Sequence, residues 1–181
     1  MFFYDWLEIY QDFDGDIPIV SDTFNIVIDT ATGESIGTKQ PNIHHEGSFS
    51  TNLLIRVSGN RITVSGNPSR YGRVDNLFGF TNLDDCIAVY NRCLRDCGFS
   101  DFQFTKGKNI FYRQGDCGKR VLRCSDGATI TRLDITTNLS VGAGCQDTYI
   151  RALASLRYRN SIPHLYPNGK TTDWKSKNHN A

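Results

Sequence analysis

Residues 53–80, LLIRVSGNRITVSGNPSRYGRVDNLFGF, carry the pattern from which the rest of the chain is read. Leu53, Ile55 and Val57 alternate, Ser58-Gly59-Asn60 turns the chain, and Ile62 and Val64 alternate again. Alternation with period two marks half-buried strands, and Gly-Asn between two such runs signals a β-hairpin. Gly66-Asn67-Pro68-Ser69 then breaks the second strand. Arg70 and Arg73 follow in a loop with Ser69, Tyr71 and Gly72. Cations, a hydroxyl, a ring and a flexible backbone suit a phosphate chain: charge attracts it, N–H and O–H groups bond its oxygens, and a ring stacks on a base. An ordinary solvated turn has the same composition, so both readings stand at this point.

Outward from this hairpin, the pattern predicts a mixed fold. Phe2 to Tyr10 reads as a strand with Phe3, Leu7 and Ile9 on one face, and Phe24 to Ile28 as a second. Residues 82–97 form the clearest helix: Leu83, Cys86, Ile87, Tyr90, Cys93, Leu94 and Cys97 recur at helical spacing, Thr81 is placed to cap the start, and Gly98 to end it. Phe102–Phe104, Ile110–Tyr112, Arg120–Cys124 and Ile130–Thr137 read as strands, and residues 146–156 as a second helix. Residues 160–169 read as a loop containing Pro and Asn, and Thr171–Trp174 as a short last strand. With 181 residues and 39% hydrophobic side chains, the chain suits one α+β domain spanning 1–181.

The net charge of +1 conceals an asymmetry. Residues 1–50 carry nine acidic side chains and one basic, Lys39, a net −8; residues 51–181 carry nineteen basic and ten acidic, a net +9. An acidic segment beside a basic remainder is a cue for nucleic-acid contact, or for pairing of the two parts with each other. No apolar run approaches the roughly 20 residues of a membrane helix. The N-terminus carries Asp5, Glu8 and Asp12 and no early Lys or Arg, which does not fit a signal peptide. A cytoplasmic protein without membrane contact is expected. The six cysteines lack close C-x-x-C pairs, and Cys86, Cys93 and Cys97 fall on the apolar helix stripe, so buried free thiols are expected over zinc or disulfides.

The order of motifs carries a further reading. The run VSGNPSRYGRVDNLFGFTNLDDC is followed by ATITRLDITTN at 128–138 and HLYPNGKTTDW at 164–174, and preceded by FFYDWLEIYQDFDGDIPIVSD and by HHEGSFSTNLLIRV at 44–57. Together, over nearly the whole chain, these resemble the replication initiation proteins of filamentous phages, the gene II class, most like those of Pseudomonas and Vibrio filamentous phages. The resemblance implies a rolling-circle initiator nuclease fold, with an antiparallel sheet, two main helices on one face and the other face left for DNA. It implies origin DNA as partner, a bacterial host cell, and a tyrosine that attacks one strand with a divalent metal, Mg²⁺ or Mn²⁺. Full-length initiator and host replication proteins are further partners it suggests.

In the family a basic stretch and a helix bearing Tyr near Lys follow the segment matched here by Thr171–Trp174. The resemblance therefore reads the chain as the N-terminal part of an initiator, with the nucleophile expected beyond Ala181. Tyr166-Pro167-Asn168-Gly169-Lys170 matches Y-x-x-x-K formally, but Pro, Asn and Gly dictate a turn in place of the helix that would align the two groups; Tyr166 is the one in-chain nucleophile candidate.

The family's Arg-hydrophobe-Asp strand matches Arg132-Leu133-Asp134, which makes Asp134 the first metal candidate, although an ion pair on a solvent face is the simpler reading of that strand. His45 is the second metal candidate, from His44-His45-Glu46; adjacent strand residues point to opposite faces, and no His-hydrophobe-His triplet occurs. The DNA contacts expected are Arg70, Arg73, Ser69, Arg56 and Arg132. A non-catalytic origin-binding protein, or a short regulator of the initiator, is the alternative function.

Overall fold

The computed structural model describes residues 1–47, 52–75, 77–114 and 121–176, with backbone alone at 111, 113–114, 121–124 and 176. The chain divides into two compact units, Met1–Asn138 and Leu139–Ala181.

In the first unit, β1 (Phe2–Asp12), β4 (Ile43–Glu46), β5 (Asn52–Ser58), β6 (Arg61–Gly66) and β9 (Thr129–Thr137) form an antiparallel sheet in the order β4-β5-β6-β1-β9. β5 and β6 are the hairpin read from the sequence, turning through Gly59 and Asn60; Gly59 has a positive φ of 59°, which a two-residue hairpin turn requires. β1 lies between β6 and β9, so the N-terminal strand is internal to the sheet. Its inward residues Leu7 and Ile9 join Leu53, Ile55, Ile62 and Val64 in one core.

That core is covered by α1 (Leu83–Asp96), which buries Cys86, Val89, Tyr90, Cys93 and Leu94. The stripe expected from spacing packs here, with Leu83, Ile87 and Cys97 only partly buried, and Val89, outside that expectation, joins it. The cap differs by one residue: Asn82, not Thr81, accepts the Asp85 N–H at 2.8 Å, and its own amide donates to the Asp85 carboxylate at 2.7 Å. The reciprocal pair satisfies an otherwise bare N–H of the first turn. Gly98 ends the helix at φ +88°, donating to Arg95 O.

Tyr90 is fully buried, yet its O–H donates to Leu7 O (2.6 Å) and Gly66 O (3.1 Å). Leu7 and Gly66 are register partners on β1 and β6. One phenol thus ties α1 to the centre of the sheet, and burial pushes its ionisation well above the ordinary tyrosine range.

Ser69 provides a second tie. It is fully buried; its hydroxyl donates to Tyr4 O at 2.5 Å and accepts the Phe80 N–H at 2.9 Å. The hydroxyl thus joins the two ends of the loop after β6, and Tyr4 N donating to Phe80 O at 2.9 Å ties the far end to β1 as well. Gly79 allows the approach, because a Cβ there would lie 2.4 Å from the Phe3 ring and 2.7 Å from Ser69 Oγ.

The remaining pairs are two-stranded: β2 (Asn25–Ile28) with β3 (Ser35–Lys39), and β7 (Ile110–Gln114) with β8 (Val121–Ser125). Phe102–Phe104, expected as a strand, is not one. Its neighbourhood is held by side chains in place of a ladder: Asn91 exchanges two hydrogen bonds with Phe104, and Thr105 N donates to Gln11 Oε1 at 2.9 Å.

In the second unit, α2 (Gln146–Leu153) accompanies the hairpin β10 (Ser161–Leu165) and β11 (Thr172–Ser176). β10 runs through the segment read as a loop, with Pro163 opposite Trp174. Thr172 Oγ1 donates to Ile150 O and Trp174 Nε1 to Leu156 O. The α+β class with an antiparallel sheet and two helices matches the expectation. α1 covers one face of the five-stranded sheet, while α2 packs with its own hairpin. Among the described residues no helix is long and apolar enough to cross a membrane.

Two ties predict two stability losses. Tyr90→Phe leaves two buried carbonyls without their donor and is expected to cost about 1–3 kcal/mol in urea unfolding. Ser69→Ala is expected to destabilise by a similar amount, about 1–3 kcal/mol, because it leaves Tyr4 O and Phe80 N without their hydroxyl partner. Unfolding midpoints unchanged from the parent chain would refute either role.

Candidate nucleic-acid interface

The face of the sheet opposite α1 is set by register. His44 pairs with Leu54, Leu54 with Ser65, Ser65 with Glu8 and Glu8 with Arg132, so this row crosses all five strands on one side. The neighbouring row holds Arg56, Thr63, Tyr10 and Thr129, and Trp6 stands beside Asp134. Period two explains the division: the residues between them, Leu7, Ile9, Leu53, Ile55, Ile62 and Val64, are the ones in the core.

Three arginines lie on this open face, each held by a carboxylate. Arg56 Nη2 is 2.9 Å from Glu8 Oε2. Arg61 meets Asp12 with two bonds, of 2.5 and 2.8 Å. Arg132 meets Asp134 with bonds of 3.1 and 2.6 Å. Two of the three also lie over rings: the Arg61 guanidinium is 3.9 Å from the Tyr10 centroid and that of Arg132 is 5.3 Å from Trp6. Thr131 Oγ1 donates to Glu8 Oε1 at 2.9 Å and completes the network.

Exposed ion pairs contribute only about 0–1 kcal/mol each. They therefore do little to hold the sheet, and their larger effect is to fix guanidinium planes and rings in place. A guanidinium with two of its five N–H groups on a carboxylate keeps others for a phosphate oxygen.

The metal candidates separate. Asp134 lies on the open face, bound to Arg132. His45 is opposite Leu53 in register and therefore lies on the core side. There the Tyr71 hydroxyl and His45 Nδ1 are 2.9 Å apart, and His45 Nε2 is 3.7 Å from Asp96 on α1. One ion cannot take both side chains as ligands across a sheet. Among the described residues no group of three or more His, Cys, Asp or Glu side chains is arranged to hold a metal, so these residues do not fit the divalent ion that the resemblance implies.

The loop of Ser69, Arg70 and Arg73 also reads differently in three dimensions. Ser69, expected to touch DNA, is sealed in the fold by its two backbone partners. Tyr71 turns inward to His45, and burial raises its phenol to about 12. Arg73 donates to Phe78 O at 3.0 Å and pairs with Asp75 at 3.4 Å, closing its own loop. Arg70 differs: its Nε is buried with no hydrogen-bond partner. The composition that suits a phosphate chain serves here mainly to anchor a turn, because the hydroxyl, the ring and one cation have partners within the protein.

Cys86, Cys93, Cys97 and Cys145 are free thiols. Burial pushes Cys86 up to about 11 and raises Cys93 and Cys97, which leaves them protonated and unreactive. Cys117 and the side chain of Cys124 lie outside the described residues.

Tyr166, in the second unit, begins the turn that joins β10 to β11: Gly169 N donates to Tyr166 O, and Tyr166 N to Thr171 O. Its phenol donates to Asp173 Oδ2 at 3.0 Å. The turn expected from Pro, Asn and Gly is present, and no helix brings Lys170 onto the face of Tyr166.

Sequence reasoning found Arg56, Arg132 and Asp134 on this face, with Glu8 and Asp5 as weaker metal candidates, but missed Trp6, Tyr10 and Arg61. The signal was available in the alternation of β1: once Leu7 and Ile9 face the core, Trp6, Glu8 and Tyr10 must face away.

No family model matches the chain, and no solved structure matches it. Among curated proteins, the gene II replication-associated protein of Escherichia phage If1 is 44% identical over 129 residues, which are 71% of this chain and 39% of that protein. The chain thus spans about two fifths of the length of the relative that it matches. This identity supports the resemblance to filamentous-phage replication initiators that the motifs carry: over 71% of its length the chain is similar to a gene II replication-associated protein of a filamentous phage.

Proposed function

We propose that this chain recognises phage origin DNA within a filamentous-phage replication initiator, in the cytoplasm of the bacterial host. The observation that carries the reading is the open sheet face, where Arg56, Arg61 and Arg132 are interleaved with Trp6 and Tyr10 on a rigid support. Arginines that can reach phosphate oxygens, next to rings that can stack on bases, make a surface for a DNA strand. Similarity to a protein named for replication supports DNA as the ligand. Arg70 is a further phosphate contact in this proposal.

The rolling-circle nicking step itself is assigned to the longer protein. Tyrosine attack on a phosphodiester needs an activated phenol, a phosphate held in line, and positive charge where the leaving oxygen develops. Here Tyr166 sits in a hairpin turn, and Asp134 and His45 occupy opposite faces of the sheet. Within this proposal Asp134 orients Arg132 through its two bonds, and full-length initiator and host replication proteins are the expected protein partners.

Binding is tested by fluorescence anisotropy on labelled origin DNA across a salt series. Affinity is expected to fall with salt at a log–log slope of about −0.9 per duplex phosphate contact, or about −0.7 on a single strand. Arg56→Ala with Arg132→Ala should weaken binding and flatten the slope by about one to two units, while Ser69→Ala should leave the slope unchanged. An unaltered slope in the double variant removes the open face from the interface.

Nicking is tested separately, by conversion of supercoiled origin plasmid to open circles with Mg²⁺ or Mn²⁺. The 181-residue chain is expected to bind without nicking. Nicking by this chain that is lost in Tyr166→Phe would overturn the assignment to the longer protein.

A further inference from the structure

The cations of the two units are engaged differently. On the open sheet face each arginine is held by a carboxylate: Arg56 by Glu8, Arg61 by Asp12 and Arg132 by Asp134. Residues 139–176 carry five cations, Arg151, Arg157, Arg159, Lys170 and Lys175, and two carboxylates, Asp147 and Asp173. All five cations are exposed, and among the described residues none of them is in an ion pair.

Three of these cations bracket one exposed surface. In the β10–β11 hairpin Ile162 stands opposite Lys175, and His164 opposite Asp173. Residues directly opposite share a face, as do residues two apart along a strand, so these four lie on one side. The other side carries Thr172 and Trp174, whose side chains donate to the carbonyls of Ile150 and Leu156 and turn that side toward α2. The free side is built around Tyr166, which is 37% exposed. Its phenol donates to Asp173, the His164 ring meets it edge-on with centroids 5.1 Å apart, and Lys175 Nζ lies 5.6 Å from its centroid. The carboxylate of this face is thus engaged in fixing a ring.

Lys170 stands in the turn at the far end of the hairpin, where its N–H donates to Asn168 Oδ1. At the near end, residues 158–161 make a tight turn, closed by Ser161 N donating to Tyr158 O at 2.9 Å. It holds Arg159 at a φ of +50°, unusual for a residue with a Cβ, and places the guanidinium 5.3 Å from the exposed Tyr158 ring.

Cations without a carboxylate partner are free to neutralise phosphates, and exposed rings offer a face to bases. A duplex hides the faces of its bases in the stack, so only an unpaired strand can use both features. Lys175 is a point charge on a flexible stem, and on meeting a phosphate it can swing off Tyr166 and uncover the ring.

We propose that the free side of the β10–β11 hairpin, with Arg159 and Lys170 at its two ends, binds single-stranded DNA. A base stacks on Tyr166, and Arg159, Lys170 and Lys175 take the flanking phosphates. The proposal rests on the reading of DNA as the ligand and adds to it a surface in the second unit, distinct from the sheet face.

The experiment is fluorescence anisotropy of the 181-residue chain on a labelled oligothymidylate of about 12 nucleotides, within the usual span of single-strand sites, across a salt series. This probe stays unpaired and carries no origin sequence. Lys170→Ala with Lys175→Ala is expected to flatten the log–log slope by about 1.4, at about 0.7 per lost contact. Tyr166→Leu should weaken binding about five- to hundredfold, the effect of one lost stack, and Tyr166→Phe, which keeps the ring, should restore most of that loss. Circular dichroism and thermal unfolding check that each variant folds; if Tyr166→Leu does not, the lysine pair decides. Oligothymidylate binding that is absent from the parent chain, or untouched by the hairpin variants, overturns the proposal. So does a loss in Tyr166→Phe as large as in Tyr166→Leu. Arg56→Ala with Arg132→Ala, measured alongside on origin DNA, keeps the two readings apart: weakening there without any effect of the hairpin variants on oligothymidylate overturns this surface and leaves the sheet face standing.

Discussion

The seating of α1 on the sheet depends on one phenol. Tyr90 reaches the Leu7–Gly66 register pair through the middle of an apolar core and donates to both carbonyls. A buried hydroxyl without a partner costs about 1–3 kcal/mol on mutational scales, so this contact favours a single placement of the helix over the many that apolar packing alone would tolerate. It also specifies the β1–β6 register, because the two carbonyls must stand side by side. A one-residue slip would separate them and turn Leu7 and Ile9 out of the core.

From that register the open face follows without further choice. If Leu7 and Ile9 point at α1, then Trp6, Glu8 and Tyr10 point away. The partners of β1 on either side then bring Ser65 and Arg132 level with Glu8. The arginine–carboxylate pairs are a product of strand order as much as of sequence, since Arg56 and Glu8 are 48 residues apart and meet across β6. Individually weak, these pairs hold planar cations above or beside rings, at a place where no loop movement is needed to present them. The β2–β3 hairpin differs from that face in leaving Phe24, Ile26 and Ile28 exposed.

The loop after β6 shows how composition misleads about role. Ser69, Tyr71 and Arg73 are residue types that bind phosphate, and each is engaged within the protein. The chain must leave β6, pass Tyr4 and enter α1, and its backbone polar groups need partners on the way. A serine hydroxyl that both donates and accepts meets two of those needs at one point. Gly79, having no Cβ, lets the loop close on Phe3.

Local patterns determined much of this protein on their own. Alternation placed β1, β5 and β6 and identified their buried faces, and the helical stripe through Cys86, Tyr90 and Leu94 identified α1, because burial imposes periods of two and 3.6 directly on the residues. Turn chemistry separated Tyr166 from any helix for the same local reason. The motif order pointed to the phage replication proteins, and the identity to the phage If1 protein agrees. What neighbours across the fold decide was not legible. That Asn91 and Gln11 would satisfy the backbone at 104–105, that a proline-bearing segment would pair as β10, and that His45 and Asp134 would fall on opposite faces all depend on strand order and register. Those are settled by contacts between residues tens of positions apart, for which a single sequence carries no period to read.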